Sequence, residues 1–299
     1  MVRDFAGAIR PIGATGPVIV TDSAASLPQA TIDRYGIVVV PLSLVIGGVL
    51  YADGELDADE VLRRIHSEPV TTSAPSPGDF VKAVDESERD RGVLILTVAS
   101  KMSAAYAAAS NASRYFEPGL VRVVDTGTAA GAQGLVVQEA AERAAEGADL
   151  DELVAAAEQV SGRVRLIASV EDLDYLARSG RVPNLAARAG KSLSLRPLFE
   201  FSRGQVKPLR PAVGERGVVG RLLDSVAAGG NGGQLHAAVL HAHAASLAQE
   251  IHARIAEMEP DALMFEAPFS SVMVAHTGPG LIGVAWWREE LGYREALAG

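Results

Sequence analysis

From Val18 onward the chain alternates short, unbroken apolar runs with longer Ala-rich segments whose apolar residues recur at helical spacing. A short β-branched run bounded by turn residues reads as a strand covered on both faces, and the Ala-rich segments read as crossover helices. The predicted strands are Val18 to Thr21, Ile37 to Leu44, Gly92 to Thr97 and Leu120 to Asp125. Helices are predicted to start at Asp57, where Glu60 completes a capping box, at Ser76, near Ser103, near Thr128, and at Asp149 with Glu152. The pattern therefore predicts an α/β fold with a mostly parallel sheet and flanking helices.

After Ser161 the pattern changes. Val164 to Val170 reads as a strand, Glu171 to Ala177 as a short helix, and the residues after Val182 as an Ala-rich helix. Two strands around Leu193 to Phe201 and Gln205 to Leu209 turn at Arg203-Gly204, and a helix follows from about Gly214 to Ala228. A glycine-rich loop at 229–233 leads to a strand at Leu235 to His241, a helix at Ala245 to Met258, and apolar segments near Val272 and Val284. The expected division is a poorly ordered tail over 1–16, an N-terminal α/β domain over 17–162 and a C-terminal α/β domain with a mixed sheet over 163–299.

Composition narrows the function classes. At 299 residues and 48% hydrophobic residues the chain can fill two cores. A net charge of −10 without a run of Lys or Arg argues against nucleic acid as the main partner. The chain has no Cys, which removes disulfides, thiolate metal sites and thiol catalysis. Residues 1–17 lack a continuous apolar segment, and Ile37 to Leu50 is interrupted by Pro41, Ser43, Gly47 and Gly48. Neither reads as a signal peptide or spanning helix, so a cytoplasmic location is expected.

Several motif-like stretches carry no chemistry. Gly190-Lys191-Ser192 imitates the end of a phosphate-binding loop, but the first glycine position is Leu185. Gly278-Pro279-Gly280-Leu281-Ile282-Gly283 matches a dinucleotide fingerprint by letter, yet only sixteen residues follow it and Pro279 removes an N–H. His241 and His243 have no third ligand at metal spacing nearby. No metal or cofactor is expected, and no catalytic constellation is evident.

Two hydroxyl-bearing corners stand out instead. In Val70 to Phe80, Ser76 caps a helix opened by Pro77 with Asp79 in its first turn, and Thr71, Thr72 and Ser73 lie on what reads as a loop facing that helix start. By itself this reads most simply as a turn and cap. A second corner, Ser100, Met102, Ser103 and Tyr106, ends a strand and opens an Ala-rich helix. Strand ends in open α/β sheets gather ligands, so Asp22, Ser23, Ser100, Ser103, Asp125 and Thr126 are expected along one edge. Two such corners facing one another can hold a carboxylate with neutral donors alone, leaving the rest of a pocket apolar.

At this point the chain resembles the DegV family over Val18 to Trp287. The resemblance rests on VTDSAASLP at Val20, VVPLSLVIGGVLYADG at Val39, TTSAPSPGDF at Thr71, ASKMSAAYAAAS at Ala99, VVDTGTAAGAQGLVV at Val123, EDLDYLARSGRV at Glu171, LSLRPLFEFSRGQVKPL at Leu193 and HTGPGLIG at His276, in family order. It implies two α/β domains with a long-chain fatty acid, palmitate-, stearate- or oleate-like, between them, presented to a dihydroxyacetone-kinase-like fatty acid kinase. It further implies that Thr72 and Ser73, with Ser100 or Ser103, bond the carboxylate, that His276 closes this end of the site, and that Arg181 and Arg210 face the partner or a phosphate. The chain departs from the family at Ser103-Ala104-Ala105, where SGT is usual, and at Pro211 to Arg216, where a Lys-rich segment is usual.

The leading expectation is a lipid-binding protein that is not itself an enzyme. Two other classes stand beside it: a hydrolase or acyltransferase using one of these hydroxyls as nucleophile, and a regulator for which the lipid is a signal.

Overall fold

The computed structural model describes residues 16–65, 67–181, 195–229, 232–290 and 293. The expected N-terminal tail, the Ala-rich helix after Val182 and the Gly190-Lys191-Ser192 stretch lie outside them.

A four-stranded parallel sheet has the order β2-β1-β6-β7, formed by β1 (Val18–Asp22), β2 (Val38–Val40), β6 (Val93–Thr97) and β7 (Val121–Asp125). All residues of β1 and β6 are buried, as expected of central strands covered by helices on both faces. A six-stranded mixed sheet has the order β10-β9-β8-β13-β11-β12. Its strands are β8 (Arg165–Ser169), β9 (Leu195–Ser202), β10 (Gln205–Val213), β11 (Leu235–His241), β12 (Leu263–Pro268) and β13 (Ile282–Arg288), and only β11 and β12 run parallel.

A third, antiparallel sheet has the order β4-β3-β5, made of β3 (Ser43–Ile46), β4 (Val49–Ala52) and β5 (Val70–Ser73). It corrects two expectations. The single strand expected over Ile37 to Leu44 is two strands in different sheets, because Pro41 has no N–H and the Leu42 N–H turns to the Ser23 hydroxyl oxygen at 3.0 Å. Thr71 to Ser73 is not a loop: β5 pairs with β3, placing Thr72 opposite Leu44. A short β-branched run fenced by Pro69 and Pro75 suits a strand of this length. The strands β4 and β12 were not predicted.

The helices follow their caps. In α2 (Ala58–Ile65), Asp57 Oδ1 accepts from the Glu60 N–H at 2.7 Å. Full capping boxes open α3 (Pro77–Asp85) at Ser76 and α6 (Leu150–Arg163) at Asp149. The remaining helices are α1 (Gln29–Tyr35), α4 (Ala105–Ser113), α5 (Ala130–Glu146), α7 (Leu173–Arg178), α8 (Gly214–Ala227), α9 (Ala245–Met258) and α10 (Ser271–Thr277). Helix α5 buries 12 of its 17 residues because it packs on β1 and β6 of one sheet and on β11 and β13 of the other. Gly131 permits this approach: a Cβ there would stand 2.9 Å from the Ala238 Cβ and 3.0 Å from Leu240. One core therefore runs from the parallel sheet through α5 to the inner face of the mixed sheet, and a second fills that sheet's outer face under α8 and α9.

Candidate functional site

The inner face of the mixed sheet does not meet the parallel sheet everywhere. Registers pair Leu166 with Phe201, Ala168 with Phe199, and Phe201 with Val206, so these side chains share a face. All five line a cavity of about 120 Å³. The other walls include Ala24, Val98 and Ala129 from the parallel-sheet edge, and Phe269, Met273 and Leu281 from the segments around α10. A dry void of this size would cost the fold about 3 kcal/mol at roughly 24 cal/mol per Å³. Walls this apolar suit an apolar occupant better than water.

Polar side chains lining it are few: Thr72, Ser73, Ser103, Ser179, Arg181, His276 and Thr277. Thr72 points into the cavity from β5, and its Oγ1 lies 2.9 Å from His276 Nε2. Arg181 Nη2 donates to the same hydroxyl at 3.1 Å, while its Nη1 donates to the Ser179 carbonyl at 2.8 Å. Three donor-capable groups thus converge on one small volume, and the guanidinium gives it a positive charge.

The local sequence builds this convergence. Helix α10 is capped by Ser270, whose Oγ accepts from the Met273 N–H at 3.4 Å, and His276 sits in its last turn. The chain then turns at Gly278, φ 70°, where a Cβ would come within 2.8 Å of three Tyr175 ring atoms. Tyr175 belongs to α7, the helix that ends just before Arg181. The HTGPG stretch is therefore a backbone cradle for an aromatic ring, and its consequence is to bring His276 beside Arg181.

Burial, with the Arg181 charge as the lesser cause, lowers His276 to about 4. It is neutral at pH 7. With Arg181 donating to one lone pair of Thr72, a His276 proton on Nε2 fills the other and leaves the threonine O–H facing the cavity; the opposite tautomer draws that O–H to the ring. An anion in the cavity favours the first arrangement.

Of the positions expected from sequence, Thr72, Ser73, Ser103, His276 and Arg181 line the cavity. Ser103 also has a local duty, since its Oγ accepts from the Ala105 N–H at 3.2 Å. Ser100 is exposed and does not line the cavity; its N–H donates to Asp125 Oδ1 at 3.1 Å. Arg210 lies exposed on β10, the outermost strand of the mixed sheet, away from the cavity. Arg181 adds a cation to the hydroxyls that line the cavity. Ser179 was missed, and only its place before Arg181 could have marked it.

Asp22, expected at the sheet edge, works in the frame instead. It is fully buried and accepts from the N–H groups of Ala24 at 3.1 Å and Val98 at 2.8 Å, and from Gln133 Nε2 at 3.1 Å. Burial pushes its carboxyl up to about 6. His243 Nδ1 lies 3.2 Å from Asp59 Oδ1, and among the described residues no group of three His, Asp or Glu is placed to hold a metal ion. Among the same residues no helix is long and apolar enough to cross a membrane.

A family model described as "Uncharacterised protein, DegV family" matches residues 18–289. A DegV domain-containing protein of Streptomyces coelicolor is 35% identical over 272 residues, spanning 89% of this chain and 96% of that protein. A DegV family protein from Thermus thermophilus, whose solved structure is described by its fatty acid binding, superposes with a TM-score of 0.85 at 29% identity, over 91% of this chain and 99% of that one. The fatty acid kinase B3 protein of Streptococcus pneumoniae, solved loaded with linoleic acid, shares the fold at a TM-score of 0.81 and 21% identity, over 92% of this chain and 100% of that one.

Proposed function

The chain belongs to the DegV family, and from that premise we propose that it binds a long-chain fatty acid in the cavity between its sheets and presents the carboxylate to a partner fatty acid kinase, or carries the lipid between sites. One observation carries this reading: a largely apolar cavity has the Thr72 hydroxyl, the His276 ring and the Arg181 cation joined at one place on its wall.

The tail supplies the affinity. About sixteen carbons at roughly 0.8 kcal/mol per buried CH₂ exceed the cost of immobilising the chain, so the head need only be oriented. The carboxylate is received by Thr72, Ser73 and Ser103 with His276, and Arg181 offsets its charge. Because Arg181 is exposed at the rim, the bound head stays within reach of a second protein. Phosphoryl transfer to such an oxygen is mostly positioning, which a holder of the acid supplies.

Mass spectrometry of the protein under native and then denaturing conditions, with analysis of an organic extract, tests the reading. A stoichiometric fatty acid released only on unfolding supports it; a ligand-free protein that also refuses added palmitate and oleate overturns it.

The distance between Thr72 Oγ1 and His276 Nε2 favours one second reading, a hydrolase or acyltransferase with Thr72 as nucleophile and His276 as base. An acyl adduct on Thr72 after incubation with an activated ester would establish it. An unchanged intact mass would dispose of it.

A further inference from the structure

The groups that meet at the Thr72 hydroxyl come from two bodies: Thr72 itself from the three-stranded sheet, His276 and Arg181 from the C-terminal half of the chain. These bodies meet at Asp53, in the turn after β4. Its Oδ1 accepts from the Val272 N–H at 3.0 Å, in the first turn of α10, and its Oδ2 accepts from the Ser23 hydroxyl at 2.6 Å. Ser23 Oγ in turn accepts from the Leu42 N–H at 3.0 Å, where the chain leaves the parallel sheet for the small one. The Asp53 N–H donates to the Leu42 carbonyl at 2.8 Å, and Ser271 Oγ donates to the Leu56 carbonyl at 2.5 Å. The end of β1, the three-stranded sheet and helix α10 are thus tied to one carboxylate.

We propose that Asp53 is the positioning residue of the head site, fixing the Thr72 strand against the His276 helix so that the two side chains meet. The inference rests on the fatty-acid reading for its ligand and on geometry alone for its mechanism. Val272 and His276 lie one helical turn apart, so a displacement at the first is passed rigidly to the second, about 6 Å along the axis. On the other side, the loop holding Asp53 continues β4, which pairs through β3 to Thr72. A loss of about 1 Å in such a joint is enough to break a hydrogen bond of 2.9 Å.

Replacement by Asn keeps an acceptor for the Val272 N–H and offers an amide donor to Ser23 Oγ, whereas Ala removes these bonds and that from the Ser270 side chain. Dissociation constants for palmitate and for methyl palmitate, with the ¹⁵N shift of His276 Nε2 in ligand-free protein, separate positioning from bulk stability. We expect D53A to weaken palmitate by at least about tenfold, the worth of one hydrogen bond to a charged group, to leave methyl palmitate within about twofold, and to move the His276 signal, while D53N stays near wild type. Equal weakening of acid and ester, or an unmoved His276 signal in D53A, overturns the proposal. If wild type takes up neither lipid, the fatty-acid reading fails, and the His276 signal alone still decides the role of Asp53. Should D53A not fold, Ser23→Ala removes a single one of these bonds and is read in the same way.

Discussion

Thr72 Oγ1 and His276 Nε2 stand 2.9 Å apart across 204 residues of sequence. Thr72→Val keeps the shape of the side chain and removes the hydroxyl that both His276 and Arg181 engage. A hydrogen bond to a charged group contributes about 1.5–3 kcal/mol, so palmitate affinity should fall about 10- to 100-fold. Calorimetric titration with the acid and its methyl ester checks it. An equal loss for both would mean that the hydroxyl does not meet the carboxylate.

The two serines of the second corner should behave differently. Ser103 lines the cavity, whereas Ser100 lies outside it with its N–H tied to Asp125. Ser103→Ala is expected to weaken palmitate by several-fold, on the order of 1 kcal/mol, and Ser100→Ala to leave it unchanged. The reverse order in a displacement titration would assign the head to the other corner.

That contrast shows where sequence reading stops. Strands such as β1 and the capping boxes at Ser76 and Asp149 are local, so residue pattern suffices to find them. The corner at Ser100 to Ser103 was also legible, but which hydroxyl turns inward depends on how the corner packs: Ser103 lines the cavity, while the Ser100 backbone is tied to Asp125, 25 positions away. Pro41 was seen to interrupt an apolar run without revealing that the run is shared between two sheets. Asp53 has no local signature at all, since Val272, the partner that gives it meaning, lies 219 residues on.

Arg181 places its charge at the rim rather than in the core, and exposed charges lose most of their attraction beyond a Debye length of about 8 Å at physiological ionic strength. Palmitate affinity should therefore weaken as salt rises, and Arg181→Gln should lower affinity at low salt while flattening that dependence. Dissociation constants at low and high NaCl test it. A variant with the wild-type salt slope would place the effect elsewhere.

A fully buried carboxyl, Asp22, and a partly buried imidazole, His276, oppose one another in acid. His276 falls from 6.5 to about 4 on folding, so its neutral ring contributes fully above pH 6.5 and that contribution is lost as pH falls toward 4. Asp22 rises from 3.8 to about 6, so its contribution is present below 3.8 and is lost as pH rises through 6. Each shift is worth on the order of 3 kcal/mol, and between pH 4 and 6 the two slopes largely cancel. His276→Gln removes one of them. Its stability deficit relative to wild type should shrink by about 3 kcal/mol between pH 7 and pH 4 in denaturant melts. A deficit that does not change with pH would mean that His276 is not held neutral by burial.

The apolar wall of the cavity at Ala168 offers the last test. Ala168 is buried, pairs in register with Phe199 on one side and Gly283 on the other, and lines the cavity with its methyl group. A Cβ on Gly283 would come within 3.0 Å of it, so no space lies toward that strand. A larger side chain at 168 must grow into the cavity. In a packed core such a change costs about 1–3 kcal/mol, but here the ring would fill a void, which offsets that cost. Ala168→Phe is therefore expected to leave the ligand-free melting temperature unchanged or raised, while lowering affinity for palmitate and leaving shorter acids such as octanoate less affected. Co-purified lipid should shorten accordingly. If the variant carries the same acyl length as wild type, the tail does not pass over β8; if it simply unfolds, the space at Ala168 is packing rather than a binding site.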